Sequence, residues 1–233
     1  MYQNVDALTV LCDAYKKQLS NYFKNDKRIH VITNPEYIRS NPNLDKKKQI
    51  IYSGRLLYSH KRVDRLLSIW EKIYKEIPEW EFIIIGDGPE RKNLERLTQK
   101  WNLERVHFIG YTSHVDDYYK EASILCLTST FEGWPLCLTE AQANGVIPIA
   151  FNCCAGIEAI LSPNRVNGIL VPNNNITAFA KELINLIHNP TLMQNIRYNV
   201  INKSHNYEPN VAGEKWLNLF NLLLENNNNQ PSL

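Results

Sequence analysis

The stretch EFIIIGDGP, residues 81–89, shows the pattern that organises most of the chain. A short apolar run ends in glycine, and a longer amphipathic segment, Glu90 to Trp101, follows it. Short apolar runs that alternate with amphipathic segments are typical of βαβ units in a parallel sheet. The sequence therefore predicts an α/β fold with a parallel sheet.

The same pattern extends in both directions from this stretch. The predicted strands are Val5 to Leu11, His30 to Thr33, Gln49 to Ser53, Glu81 to Ile85, Val106 to Ile109, Ser123 to Leu127, Val146 to Ala150 and Gly168 to Val171. The predicted helices are Ala14 to Tyr22, Val63 to Ile77, Glu90 to Trp101, His114 to Lys120, Pro135 to Asn144 and Thr177 to His188.

The length, 233 residues, corresponds to about one and a half domains of about 150 residues. Residues 34–48 are polar, carry two prolines and lack periodicity, which predicts a linker. Residues 1–33 form a strand–helix–strand piece too small for its own core, and residues 49–190 form a complete domain. Residues 191–225 are expected to hold an irregular stretch and then a helix near Ala212 to Leu224, and the Asn-rich tail, 226–233, is expected to be disordered.

Composition excludes several classes of protein. Hydrophobic residues make up 44% and charged residues 21%, the balance of an ordinary globular chain. A net charge of +2 is too small to indicate nucleic acid binding through bulk charge. The 5 cysteines include no Cys-x-x-Cys pair, and no secretory signal or membrane-length apolar run is present, which favours a cytoplasmic location.

Glycines mark the predicted ligand-binding edge of the sheet. Of the 9 glycines, most lie at or just beyond the carboxyl end of a predicted strand, where open parallel sheets bind ligands: Gly54, Gly86, Gly88, Gly110, Gly133 and Gly156. Each one alone is explained better by the tight turns of βα loops. The set predicts a binding crevice.

The familiar phosphate-binding motifs are missing. Residues 86–89 read Gly-Asp-Gly-Pro, but no third glycine follows at the spacing of a dinucleotide fingerprint. A P-loop sequence is also absent. A nicotinamide cofactor and a P-loop are therefore not expected.

Two cations follow the strand that ends at Ser53. Arg55 and Lys61 enter the crevice from one loop, where a planar guanidinium and a point-charge ammonium could clamp a diphosphate. The alternative is that both are solvated loop charges. Their position at the sheet edge favours the functional interpretation.

The segment from Ser129 to Ala141 carries the strongest functional signal. Pro135 suits the first position of a helix, so Glu132 and Gly133 precede exposed amides that favour an anion. Glu140 lies about 7–8 Å further along the helix axis. Two carboxylates so placed can grip hydroxyl groups on either side of a phosphate, although both could also be simple surface or helix-dipole charges.

At this point the chain resembles a known family: the C-terminal, donor-binding half of a retaining glycosyltransferase of the GT-B fold, family four, also called glycosyl transferase group one. The matching elements run in the family's order from about 49 to 190: Gly54-Arg55-Leu56 with Lys61, Gly86-Asp87-Gly88-Pro89, Phe108-Ile109-Gly110, the Glu-x7-Glu element from Glu132 to Glu140, Ala143-x-Gly145-x-x-Pro148 and Gly168-x-Leu170-Val171.

The resemblance implies a Rossmann-like, doubly wound sheet with a remnant of the N-terminal domain, and it implies a role for each motif. Arg55 and Lys61 would neutralise the diphosphate of a UDP- or GDP-activated sugar, and Glu140 would bind the ribose. Glu132 would face the sugar, and backbone near Phe108 to Tyr111 would contact the base. The implied catalytic residues are Arg55, Lys61 and Glu132, and the implied donor-binding residues are Gly54, Gly110, Gly133, Trp134, Pro135, Leu136, Thr139 and Glu140. No metal or other cofactor is implied.

The implied reaction is retaining transfer of a hexose to a saccharide or lipid-linked acceptor in polysaccharide or cell-envelope biosynthesis, with attachment to the inner face of the membrane left open. The acceptor-binding half of the family is missing from these residues. A non-catalytic or split nucleotide-sugar-binding module that pairs with a separate N-terminal chain is therefore the main alternative, and a GT-B epimerase is a more distant one. One departure stands out: many relatives have a Gly-Gly pair before Glu158, whereas this chain has Cys153-Cys154, interpreted as small buried apolar residues.

Overall fold

The computed structural model describes residues 5–22, 26–37 and 42–228, with side chains described as far as residue 225. Within them the strands are β1 (Leu8–Val10), β2 (Ile29–Val31), β3 (Gln49–Ser53), β4 (Glu81–Ile85), β5 (Val106–Gly110), β6 (Ile124–Leu127), β7 (Ile147–Asn152) and β8 (Ile169–Pro172). The helices are α1 (Asp13–Ser20), α2 (Val63–Ile73), α3 (Arg91–Lys100), α4 (Val115–Glu121), α5 (Leu136–Ala143), α6 (Ala155–Leu161), α7 (Ile176–Ile187), α8 (Pro190–Ser204) and α9 (Pro209–Asn228).

The main sheet has 6 strands in the order β5-β4-β3-β6-β7-β8, and every neighbouring pair is parallel. The chain builds outward from β3 through β4 to β5, then crosses back and builds outward from β6 to β8 on the other side. This is a doubly wound sheet, and the predicted α/β, Rossmann-like fold class is confirmed. The order in which the chain adds strands reverses between β3 and β6, and this switch creates a crevice at the carboxyl ends of those two parallel strands.

Buried apolar residues fill both faces of the sheet. All four residues of β6 are buried, as expected for a strand covered by helices on both sides. On α2, Val63, Leu66, Trp70 and Ile73 recur at helical spacing and are almost completely buried. The Trp70 ring packs 5.9 Å from that of Phe82 on β4.

The piece before the linker is a separate two-stranded parallel sheet, β1 paired with β2, joined by α1. It packs on the main domain where α1 contacts α6, and Cys12 is buried in the continuous core. Of the predicted linker, residues 34–37 and 42–48 contain no helix or strand, and residues 38–41 lie outside the described residues.

The C-terminal region differs from the prediction. Helix α8 occupies much of the stretch expected to be irregular: it starts at Pro190 and buries Ile196 and Val200 on one face. The following helix α9 extends to Asn228, so the start of the predicted disordered tail is helical, whereas residues 229–233 lie outside the described residues.

Candidate functional site

The loops that follow β3 and β6 lie side by side at the point where the strand order of the sheet reverses. Arg55 and Lys61 belong to the first loop, and Glu132 belongs to the second. Because β3 and β6 are neighbouring parallel strands, both loops leave the sheet at its carboxyl edge. The topology therefore brings the predicted cations and a predicted carboxylate to one crevice.

Hydrogen bonds tie these two loops together. The Thr128 hydroxyl donates to the Arg62 carbonyl (2.9 Å), and the Thr130 amide donates to the His60 carbonyl (2.8 Å). The Arg65 guanidinium, which is buried, donates to the Thr128 carbonyl at 3.2 Å. These hydrogen bonds hold the two loops against each other and so restrict the positions of the charged side chains that the loops carry.

Lys61 and Glu132 form an ion pair across the two loops. The Lys61 Nζ lies 2.6 Å from Glu132 Oε1, and the Ser129 hydroxyl donates to the same oxygen at 2.7 Å. The Glu132 side chain is only 9% exposed, compared with 25% for Lys61. Arg55 is exposed, and none of the ion pairs between described residues includes it. The site therefore holds one paired cation and one cation available to an anion.

Glu140 is oriented by a buried tyrosine. The Tyr119 hydroxyl, on α4, donates to Glu140 Oε2 at 2.7 Å. Burial raises the pKa of Glu140, the bond from Tyr119 acts in the opposite direction, and the charge of Asp116 adds to the increase. Tyr119 is itself buried, at 1% exposure, and its packed ring holds the hydroxyl in place, so that one oxygen of Glu140 is fixed by this bond. Sequence reasoning did not single out Tyr119, and an isolated aromatic on a helix gives no signal of such a role.

The carboxyl ends of α4 and α5 are joined by one lysine. The Lys46 ammonium donates to the carbonyls of Tyr119 (2.9 Å), Lys120 (2.8 Å) and Asn144 (2.7 Å). Burial opposes its charge and lowers the pKa of Lys46 to about 7, whereas three acceptors favour the protonated form that satisfies all of them. The helices that carry Tyr119 and Glu140 are thereby held at one end.

Glu36 reaches the site from the predicted linker. Its carboxylate accepts from the Thr139 hydroxyl at 3.1 Å, and its amide donates to the Tyr207 carbonyl at 2.6 Å. Burial raises the pKa of Glu36, and the nearby charge of Glu140 raises it further. No sequence pattern separates Glu36 from its polar neighbours, so this residue was missed.

A cavity of about 440 Å³ lies at the ends of β3, β4 and β5, and Arg55 is the predicted cation that lines it. Gly54 (φ +152°) and Gly110 (φ +85°), both predicted to bind the donor, adopt backbone conformations that favour glycine. The cavity is lined by Ser53, Gly54, Arg55, Ile85, Gly86, Asp87, Tyr111, Thr112 and Val115. Its position matches the region where the base-contacting backbone was expected.

The turn into α5 presents mainly backbone. Pro135 is the residue that caps α5, and Leu136 is the first helical residue, one position later than predicted. Leu136 is 46% exposed, whereas the Trp134 ring is buried against Tyr207 at a centroid distance of 5.8 Å. Thr139 is also buried, and its single hydroxyl proton is shared between the Leu136 carbonyl at 2.9 Å and the Glu36 carboxylate at 3.1 Å. Gly133 and Leu136 are therefore the accessible predicted donor-binding residues of this segment.

The interpretation of the vicinal cysteines as buried apolar residues is wrong. Cys153 and Cys154 are both half-buried, because they lie in the turn that precedes the short helix α6. The Cys153 thiol lowers the pKa of Cys154 to about 6. The Cys154 sulfur lies 3.9 Å from the Gly133 carbonyl oxygen, so this turn contacts the predicted donor loop.

The described part of the chain has neither a metal-binding cluster nor a helix that could span a membrane. Among those residues, His, Cys, Asp and Glu side chains nowhere group in threes in a way that could hold a metal ion. In the same residues, every helix is too short or too polar to cross a membrane.

Comparison with known proteins identifies the family to which this fold belongs. The family model of the glycosyl transferases group 1 matches residues 33–203. The chain belongs to this family, which confirms the resemblance stated above.

Two curated relatives are bacterial glycosyltransferases. The chain is 37% identical over 189 residues to an uncharacterized glycosyltransferase of Haemophilus influenzae, covering 80% of this chain and 53% of that protein. It is 27% identical over 229 residues to the amylovoran biosynthesis glycosyltransferase AmsD of Erwinia amylovora, covering 94% and 63%. The chain therefore spans somewhat more than half the length of these two relatives.

Solved structures give the same assignment. A mutant of Staphylococcus aureus TarM in complex with fondaparinux, alpha-GlcNAc-glycerol and UDP superposes with a TM-score of 0.84 at 27% identity, covering 93% of this chain and 44% of that one. The lipopolysaccharide outer core galactosyltransferase WaaB gives a TM-score of 0.78 at 25% identity, covering 92% and 61%.

Proposed function

We propose that this chain supplies the donor site of a retaining glycosyltransferase that takes a UDP- or GDP-activated sugar and needs no metal ion. The observation that carries the proposal is the crevice between β3 and β6, where Lys61 from one loop pairs with Glu132 from the other and Arg55 is exposed on the same loop as Lys61. Support also comes from the UDP bound to TarM, a relative at 27% identity with the same fold.

The cations are suited to the leaving diphosphate. Arg55 is exposed at the mouth of the cavity and offers a planar fork of donors. Lys61 adds a second positive charge from the same loop. Positive charge placed before the reaction stabilises the negative charge that develops as the sugar–phosphate bond breaks. In the proposal these residues do what a divalent cation does in other transferases.

The carboxylates are suited to hydroxyl groups. Glu140 keeps one oxygen on Tyr119 and has the other free to accept from a ribose hydroxyl. Glu132 lies at the opposite end of the turn into α5, next to Lys61, and in the proposal faces the sugar. The backbone between Gly133 and Leu136 supplies amides at the start of α5, where phosphate and sugar oxygens are favoured.

The acceptor is proposed to be a saccharide or a lipid-linked saccharide in polysaccharide or cell-envelope biosynthesis. AmsD is a glycosyltransferase of amylovoran biosynthesis, and a relative in Staphylococcus aureus is a poly(ribitol-phosphate) alpha-N-acetylglucosaminyltransferase. Synthesis from a cytoplasmic nucleotide sugar at the inner face of the membrane is part of the proposal.

Calorimetric titration of UDP and GDP into the wild-type chain and into Glu140→Ala tests the donor site. Loss of one charge-assisted hydrogen bond to ribose is expected to weaken binding about tenfold or more. The matched control is Glu71→Gln, an exposed carboxylate on the outer face of α2. Equal affinity in wild type and Glu140→Ala would exclude the ribose role.

A transfer assay separates the enzyme from a donor-binding module. The chain is assayed alone and then mixed with candidate N-terminal partner chains, using the nucleotide sugar that binds most tightly. Turnover by the purified chain alone would reject the requirement for a partner. Turnover only in the mixture would support a split transferase.

A further inference from the structure

Tyr15, in the N-terminal piece, contacts the turn between Glu132 and α5. Helix α1 packs against α6, and Cys12, just before α1, is 6% exposed within the core of the main domain. This anchoring carries Tyr15 to the turn between Glu132 and α5, more than a hundred positions away in the sequence.

The Tyr15 hydroxyl makes two hydrogen bonds there. It donates to the Gly133 carbonyl at 2.9 Å and accepts from the Gly156 amide at 3.2 Å. Burial raises the pKa of Tyr15 to about 12, so the phenol keeps the proton that it donates. One hydroxyl therefore connects the turn into α5 with the start of α6.

The Gly133 carbonyl is also enclosed from the side of α6. A Cβ atom on Gly156 would lie 3.0 Å from the Gly133 carbonyl carbon and closer still to its oxygen, so only glycine allows this approach. In contrast, a Cβ on Gly133 would meet nothing within 4 Å. The carbonyl is held on one side, and open space lies on the other.

The orientation of the Gly133 carbonyl also sets the orientation of the Trp134 amide, which belongs to the same peptide group and points the opposite way. The peptide group is planar and trans, so the direction of the Gly133 carbonyl determines the direction of the Trp134 amide. That amide belongs to the segment proposed to hold the sugar and phosphate oxygens of the donor. In the proposal the diphosphate is held mainly by Arg55 and Lys61 and the ribose by Glu140, so their binding depends less on this peptide than binding of the sugar does.

We propose that Tyr15 is a positioning residue for the sugar end of the donor site, acting through the Gly133–Trp134 peptide. The inference rests on the proposed function and extends it by assigning the sugar end of the site a residue from the piece before the linker. It predicts that loss of the hydroxyl weakens binding of the nucleotide sugar more than binding of the nucleoside diphosphate.

The first test is calorimetry on wild type and on Tyr15→Phe, which keeps the ring and removes only the hydroxyl. Each protein is titrated with UDP and GDP, and with UDP-N-acetylglucosamine, UDP-galactose and GDP-mannose. For the tightest sugar, the ratio of its affinity to that of the matching diphosphate is expected to fall about five- to tenfold in Tyr15→Phe. The matched control, Tyr22→Phe, changes an 83% exposed tyrosine just after α1 and should leave the ratio unchanged.

A second variant acts on the same carbonyl from α6. In Gly156→Ala the new Cβ would press on the Gly133 carbonyl and would also lie 3.3 Å from the Tyr15 hydroxyl, so it disturbs the same contact and should cause the same selective loss. A general loss of stability would lower both affinities and leave their ratio intact. An unchanged ratio in both variants would overturn the proposal.

A readout independent of nucleotide binding separates the two proposals. In protein labelled with ¹⁵N-glycine and ¹⁵N-tryptophan, Tyr15→Phe should shift the amide signals of Gly156 and Trp134, whereas Tyr22→Phe should not. Unshifted signals would refute the contact itself. If Tyr15→Phe shifts both signals but the wild-type chain binds no nucleotide, the contact is real and the proposed function is refuted, together with the ligand role of Tyr15.

Discussion

Gly86→Ala should strongly destabilise the protein, because Gly86 lies where β4 passes closest to the loop after β3. A Cβ at this position would lie 2.9 Å from the Gly54 carbonyl carbon and closer still to its oxygen. Gly86 also has φ +124°, a conformation that residues with a side chain rarely adopt. Its amide donates to the Gly110 carbonyl at 2.9 Å, so rotation away from the clash would break a hydrogen bond.

The magnitude follows from these terms. Backbone strain in this region costs about 1–3 kcal/mol, and overpacking against backbone that cannot rotate away costs about 1–3 kcal/mol more. Reduced freedom of the unfolded chain offsets about 0.4–1 kcal/mol. We expect a net loss of about 1–5.6 kcal/mol, which for a chain of this size lowers the melting temperature by roughly 2–22 °C.

Urea denaturation followed by circular dichroism measures the free energy of unfolding directly. Gly213→Ala is the matched control, because a Cβ there would meet nothing within 4 Å and Gly213 lies in the helix α9. Alanine in a helix interior should stabilise the protein by up to about 1 kcal/mol. A loss below about 1 kcal/mol in Gly86→Ala would refute the close approach of β4 to the loop after β3.

Other substitutions test the site and the C-terminal region. Tyr119→Phe should weaken UDP binding about threefold to tenfold, because Glu140 loses the bond that orients it; calorimetry against wild type checks this. Since burial raises the pKa of Glu140, the folded state holds the proton to a higher pH than the unfolded state, so stability falls as pH rises from about 4.5 through the raised value. Glu140→Gln should flatten that slope in urea titrations run at several pH values, and an unchanged slope would contradict the assignment. Asn189→Ala removes the side chain that caps α8 by accepting from the Leu192 amide, and should cost about 1 kcal/mol in thermal unfolding.

The buried strands were predictable because their environment leaves a simple pattern. Strands covered on both faces read as continuous apolar runs, and the predicted limits of β3 and β4, Gln49 to Ser53 and Glu81 to Ile85, match those observed. Helix α8 was missed although its start carries a recognisable signal, Asn189 followed by Pro190. Its interior alternates apolar residues with asparagines, which weakens the amphipathic pattern.

The part of the site that depends on sheet topology could be predicted from the sequence, but the side-chain contacts could not. Sheet order places Arg55, Lys61 and Glu132 near one another, but the Lys61–Glu132 pair depends on loop conformations set by the hydrogen bonds of Thr128 and Thr130. Tyr15 and Glu36 lie outside the main domain in sequence, and neither belongs to a periodic pattern. Their roles follow from how the N-terminal piece and the linker fold back on the main domain. This packing is long-range, and no local sequence pattern predicts it.

The Lys61–Glu132 pair constrains how a diphosphate can enter the proposed site. Glu132 is almost completely buried, and removing one partner of a buried ion pair is strongly unfavourable, by about 3–5 kcal/mol. An ammonium has three N–H donors, so Lys61 can bind a phosphate oxygen while it keeps Glu132. The diphosphate would therefore join the pair rather than replace it, and Glu132 would hold its orientation toward the sugar throughout. Lys61 then has two tasks, to bind the anion and to hold the carboxylate, whereas Arg55 has only the first.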